Sequence, residues 1–259
     1  MSLLFAYSSL PPPDFHSSTS ITLEKFYELL DLSLTDGMKA KLASIRRLID
    51  VKNILSFQTG VMFDSKGNFH ESNLRLSLLN NEDLPEYILD FLEEHKENSD
   101  VVKHFPELYS MFFKEEIAKG GVAGEFLTFE KNLILILFGF TGKRLALDIE
   151  KYLQYEDLTN PLVIHLLLQK KNSGPFIFPY EYKDLEDRIN QTGADPMKQY
   201  LSIAIYRFNY YKAIFEEDPC SFRSVCAYMM CLWLLDEKEE LNEKLGRKVL
   251  IEIVESENE

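Results

Sequence analysis

The chain has 259 residues, 46% of them hydrophobic and 13% aromatic, enough to bury a sizeable core as one large domain or two lobes. Its formal net charge of −14 argues against binding a nucleic-acid backbone or an anionic membrane surface, both of which need clustered Lys/Arg, and favours basic partners. The apolar runs Leu133 to Phe140 and Val225 to Leu235 are far shorter than the roughly 20 residues of a membrane span, and no basic residue precedes the N-terminal "LLFAYSSL". Neither membrane insertion nor a secretory signal is expected, and the chain reads as cytoplasmic.

Helical periodicity dominates. In "TLEKFYELL", Thr22 is placed to cap a helix whose apolar face carries Leu23, Phe26, Tyr27 and Leu30. A long helix follows, opening at Thr35 or Asp36, closing near Gly60 and carrying Met38, Leu42, Ile45 and Ile49 on one stripe; its length is about 35 Å at 1.5 Å per residue. Residues Phe63 to Asn73 form a turn-rich excursion. "LPEYILDFLEEH" and "FPELYSMFFKEEIAKGG" then predict two helices, each with Pro near its first turn, the second stopping at Gly120 and Gly121. The Gly-rich "GGVAGE" divides the chain into an N-terminal helical lobe over 1–119 and a C-terminal helical lobe with a charged tail over 120–259. The second half continues with "TFEKNLILILFGFTGKRLALDIEKYL", "PLVIHLLLQKK", a "SGPFIFPYEY" loop, "DPMKQYLSIAIYRFNYYKAIFEE" and "SFRSVCAYMMCLWLLDEKEELNEKL". The fold class is all-α, two-lobed, with long packed helices.

Three polar residues interrupt apolar faces. At 100° per residue, Asn53 falls close to the direction of Leu42 and Ile49, Asp50 lies beside Phe57 at the edge of that stripe, and Asn132 shares a face with Phe129, Ile136, Gly139 and Phe140. A buried amide costs about 1 to 3 kcal/mol if unpaired, so each requires partners, most naturally the frayed end of a neighbouring helix. Asp50, Asn53 and Asn132 therefore read as structural polar brackets rather than a catalytic dyad or metal half-site.

Other signatures are thin. Cys220, Cys226 and Cys231 match no common zinc spacing and read as core thiols. "GFTGKR" has two residues between its glycines where a phosphate loop has four, and Arg144 stands where Ser or Thr would hold Mg²⁺. The five histidines, His16, His70, His95, His104 and His165, form no H-E-x-x-H and no close pair in sequence. No catalytic residue, cofactor site or metal site is expected.

"FAYSSLPPPDF", "ITLEKFYELLDLSLTD" and the long helix with "IDVKNI" resemble, in order and spacing, a bacterial family that accompanies V-type (archaeal-type) ATP synthases. That family is remotely similar to the C-type component of V-type ATPases, whose eukaryotic counterpart is the d-type component. The ending "EDPCSFRSVCAYMMCLWLLDEKEELNEKLGRKVLIEIV" is similar too, with an acidic-Pro-x-Ser-Phe lead-in to an apolar helix. The resemblance implies a helical funnel that is non-catalytic, receives the central stalk and joins it to the membrane rotor ring during ion transport. Its partners would be central-stalk and membrane-ring subunits, and its location the cytoplasmic side of the inner membrane, peripheral through the complex. The alternatives are an acidic helical adaptor or chaperone-like protein unrelated to rotary ATPases, and, further off, a small helical hydrolase using Asp50 or Glu130.

Overall fold

A computed structural model describes residues 3–17, 21–170 and 174–241. In chain order the helices are α1 (Leu3–Ser8), α2 (Leu23–Asp31), α3 (Asp36–Thr59), α4 (Glu71–Asn80), α5 (Glu86–Glu94), α6 (Asn98–Ala118), α7 (Gly121–Arg144), α8 (Glu150–Leu153), α9 (Pro161–Lys170), α10 (Lys183–Gln191), α11 (Pro196–Glu217) and α12 (Phe222–Glu240). Among the described residues there is no β-strand, so the all-α class holds. Among the described residues, no helix is long and apolar enough to cross a membrane. The residues after Leu241, which include the charged tail and much of the ending quoted above, lie outside the described residues.

Local chemistry explains where several helices begin. Thr22 accepts from the Lys25 N–H, Asp195 from Met197 and Lys198, and Ser221 from Ser224, so each supplies an acceptor to otherwise unpaired first-turn donors. The long helix starts at Asp36 and stops at Thr59, where Gly60 turns the chain at φ 71°. Four expectations are corrected. Helix α4 begins at Glu71, inside the stretch expected to be a turn-rich excursion, and α10 occupies a stretch with no helix expected. Helix α6 starts at Asn98, eight residues ahead of Pro106, which sits inside it and removes the bond from position 106 to the carbonyl of Val102. Helix α7 begins at Gly121 and ends at Arg144, with Ala146 at φ 54°, so the expected run through "DIEKYL" is broken into α7 and α8.

The chain divides into two compact units, Met1–Met38 with Tyr182–Glu259, and Lys39–Glu181. In the first, α11 and α2 pack on α12, which is buried on every side from Ser224 to Leu235. That burial accounts for its continuous apolar run, which includes the buried free thiols Cys226 and Cys231. Trp233 Nε1 donates to Tyr27 Oη at 2.8 Å, and Lys238 Nζ donates to the Phe15 carbonyl at 2.6 Å.

In the second unit, α5 packs on α6, α6 on α7 and α7 on α9. Its core gathers Leu48, Val51 and Ile54 of α3 with Leu74, Ile88, Phe91, Leu108, Phe112 and Leu127. The Gly120–Gly121 turn, read from sequence as the division at 119/120, lies inside this unit. Both glycines have positive φ (69° and 63°), which reverses the chain so tightly that α6 and α7 face each other. The "GFTGKR" segment forms the C-terminal end of α7. A side-chain carbon at Gly139 would collide with Leu166 and one at Gly142 with Ile149, so these glycines permit close packing.

Candidate functional site

Polar groups concentrate along one stripe of α3. Arg46, Asp50, Asn53 and Phe57 recur at i, i+4, i+7 and i+11, so they stand in one row on the helix. The returning segment Asp64 to Phe69 lies along that row. Arg46 donates through Nε to the Lys66 carbonyl at 3.1 Å and through Nη2 to the Gly67 carbonyl. Asp50, 1% exposed, accepts from the Asn68 N–H at 2.7 Å, the Asn68 side-chain amide at 2.6 Å and the Phe69 N–H at 3.4 Å. Asn53 exchanges a reciprocal pair of hydrogen bonds with the backbone of Asp64. Phe57 stacks on Phe63 at 5.7 Å, and the Arg75 guanidinium covers the Phe57 ring at 4.2 Å.

This arrangement makes the loop a fixed part of the helix surface. Asp64 folds back to accept from its own Lys66 N–H at 3.0 Å, while Lys66, itself buried, pairs with Asp64 at 3.1 Å. Gly67 has no side chain because a β-carbon there would fall on Asp50 Oδ1. Burial pushes the Asp50 carboxyl above its ordinary value, while hydrogen bonds from Asn68 and Phe69 and the Arg46 charge oppose that shift. Asp50 and Asn53 are thus engaged with a loop backbone, not with the frayed helix end expected for them. Asn132 is half-buried on α7, outside the row that meets the Asp64 to Phe69 segment.

A second polar centre has no counterpart in the sequence reading. Glu116 of α6 is 0% exposed and accepts from Arg47 Nη1 at 2.6 Å, Lys119 Nζ at 2.7 Å and Tyr87 Oη at 3.3 Å. It ties α3 and α5 to α6. Burial acts to raise the Glu116 carboxyl, but the Lys119, Arg47 and Ser44 partners outweigh it and hold the group below its ordinary value. Burial and the neighbouring Glu116 charge push the Tyr87 hydroxyl up.

The histidines are not all apart. His95 and His104 stack with ring centroids 4.4 Å apart and planes 15° from parallel, which corrects the expectation of no close pair. Glu107 lies beside both. His165 is half-buried and bonded, with Nε2 at 2.8 Å from the Ile177 carbonyl and 2.8 Å from Gln169 Nε2. A cavity of about 380 Å³ adjoins α7. Its lining is apolar apart from Lys143, Asp148 and Gln169, and Lys143 Nζ donates to the Gln169 carbonyl at 2.5 Å.

Comparison with known proteins gives a family and relatives. Residues 2–258 match the family described as "Protein of unknown function (DUF2764)". Similar proteins, each described as uncharacterized, occur in Chlamydia trachomatis (28% identical), Chlamydia muridarum (26%) and Chlamydia pneumoniae (25%), with 79% of each chain covered in every case. No solved structure matches the chain. These matches correct the resemblance to the C-type and d-type components of V-type ATPases, because the family that covers the sequence is a different one and neither its description nor those of the relatives refers to a rotary ATPase. The chain belongs to the DUF2764 family.

Proposed function

We propose that the protein is a non-catalytic helical adaptor that holds a basic partner in a larger assembly. The observation that carries this reading is the use of Asp50 and Asn53: the two polar residues best placed on α3 for chemistry are spent on clamping the Asp64 to Phe69 backbone. Such a clamp stiffens a surface without leaving a carboxylate available to a substrate. The net charge of −14 supports attraction of basic loops or stalk-like helices, with an affinity that weakens as salt rises. Long helices packed through rows such as Ala204, Phe208 and Tyr211 give the stiffness a mechanical connector requires.

The particular assembly proposed for test is the junction between the central stalk and membrane ring of a V-type ATPase, which would place the protein at the inner membrane through the complex. With the family corrected, resemblance no longer selects this assembly, and an adaptor for an unrelated basic partner is the alternative. The test is a pull-down of tagged full chain from cells that express a complete V-type ATPase, at low and moderate salt, with mass spectrometry of what is retained. Stalk or ring subunits retained at low salt and lost at moderate salt support the rotary assembly. Recovery of neither, with reproducible retention of another basic protein, supports the unrelated adaptor. Hydrolytic turnover that follows the protein through purification and disappears in Asp50→Ala overturns the adaptor reading altogether.

A further inference from the structure

Three side chains meet at the corner between α5 and α6. His95 is the residue that ends α5, with φ −113° and ψ 81°, and its imidazole is turned toward α6. His104 and Glu107 stand three positions apart on α6, so one face of the helix presents both. His95 Nε2 lies 3.6 Å from Glu107 Oε2, and His104 Nδ1 lies 3.9 Å from the same oxygen. One donor atom from each residue falls within 4.8 Å of the others.

A second observation is independent of that proximity. The His95 side chain is about nine-tenths buried, and its Nε2 makes no hydrogen bond to any described residue. A buried polar atom without a partner is costly, so native proteins seldom leave one unmatched. This nitrogen is aimed at the Glu107 carboxylate, at a separation too long for a hydrogen bond and suited to an atom between them.

We propose that His95, His104 and Glu107 bind a divalent first-row transition ion, with Zn²⁺ the best match. Two imidazoles and one carboxylate form a donor set for zinc-like ions, whereas Mg²⁺ and Ca²⁺ select oxygen ligands. With Zn–ligand bonds of about 2.0 to 2.2 Å, neighbouring donors of a tetrahedral ion stand about 3.4 Å apart, so the two His–Glu107 separations of 3.6 and 3.9 Å are near that value, while the two imidazole donors, within 4.8 Å of each other, close by up to about 1.4 Å on loading. A shared ion lies in the plane of each imidazole it binds, and parallel stacked rings cannot both satisfy that condition. One ring therefore tilts on loading. It is His104, whose side chain is 27% exposed, against 10% for His95.

Tyr155 shares His104 Nδ1 with the ligand set, so loading also displaces that contact. Its hydroxyl lies 3.3 Å from His104 Nδ1, and its carbonyl accepts from Ser110 Oγ at 2.7 Å, which fixes it against α6. When His104 turns to bind through Nδ1, it gives up the Tyr155 hydroxyl. The exposed edges of His104 and Glu107 provide the access path. The loaded ion would clasp the end of α5 to α6, a role independent of the partner reading above.

The full chain, stripped with a chelator and exchanged into metal-free buffer, is titrated with Zn²⁺ by calorimetry and by competition with a chromogenic chelator. One ion per chain, bound at about 10 µM or tighter, is expected, with a rise in Tm of about 5 °C at saturation. His104→Gln and Glu107→Gln should each weaken binding at least about tenfold and abolish the Tm rise. Co²⁺ in place of Zn²⁺ should show the visible absorption of a tetrahedral nitrogen–oxygen site. His95→Ala can unfold the corner by itself, so the decision rests on the two half-exposed ligands, with far-ultraviolet circular dichroism confirming that each variant folds. No saturable one-to-one binding by the wild type, or wild-type affinity in both folded variants, overturns the site.

Discussion

The side chain of Asn53 and the backbone of Asp64 exchange two hydrogen bonds: Asn53 Nδ2 donates to the Asp64 carbonyl at 2.8 Å, and the Asp64 N–H donates to Asn53 Oδ1 at 2.9 Å. An amide side chain thus pairs with the loop as a neighbouring strand would, using both halves of its donor–acceptor set. Asn53 is 1% exposed, so water cannot replace either bond without opening the structure.

Asn53→Leu tests this pairing. Leucine keeps apolar contact with the core but strands the N–H and carbonyl of Asp64, and the expected loss is about 3 kcal/mol. Urea unfolding followed by circular dichroism measures it, and limited proteolysis should show new cleavage between residues 60 and 70. A loss below about 0.5 kcal/mol would place the pairing outside the energetics of the fold.

Gly67→Ala probes the same loop from the other side. The added carbon would fall on Asp50 Oδ1, so the loop must move and its bonds to the Asp50 carboxylate stretch. About 2 kcal/mol of destabilisation is expected, typical of overpacking a site that cannot relax. In the Asp50→Ala background the obstructing oxygen is gone, and the glycine substitution should then cost at least about 1 kcal/mol less. Strict additivity of the two substitutions would show that the collision is not what requires glycine there.

How much of this site could be read from sequence depends on whether its parts are local. The 3.6-residue period placed Asp50 and Asn53 on the apolar side of α3, and Arg46, four residues before Asp50, was available to the same arithmetic. Which segment would lie across them was not available, because pairing of Asp50 with Asn68 is a tertiary event between a helix and a turn. Thr22, Asp195 and Ser221 were legible as caps or helix lead-ins because capping is settled within four residues. Pro106 misled for the converse reason: proline favours a helix start, yet the surrounding contacts of Leu108, Phe112 and Phe113 hold a helix through it. The cluster at His95 and His104 was hidden, since a helix boundary separates the rings in sequence. Only the H-x-x-E spacing of His104 and Glu107 could have drawn attention to it.

Glu116 sets the last prediction, through the pH dependence of stability. Its carboxyl is held below the ordinary value of 4.5 by Lys119, Arg47 and Ser44, whose effect exceeds that of burial. The unfolded chain therefore takes up this proton at a higher pH than the folded chain does. The contribution of Glu116 is present in full above about pH 4.5 and is lost as pH falls through its folded-state value. Asp50 has the opposite sign: burial raises it above 3.8, so its contribution is largest below that pH and declines as pH rises through the folded value. Glu116→Gln separates the two. At neutral pH it should cost about 3 kcal/mol, because Arg47 loses its buried counter-charge. Below pH 4.5 the wild type should lose stability with a slope steeper than the variant's by up to about 1.4 kcal/mol per pH unit, the value for one linked proton. Stability curves measured by urea unfolding across that range should therefore converge on the acid side, and curves that stay parallel would remove Glu116 as the source of the acid-side loss.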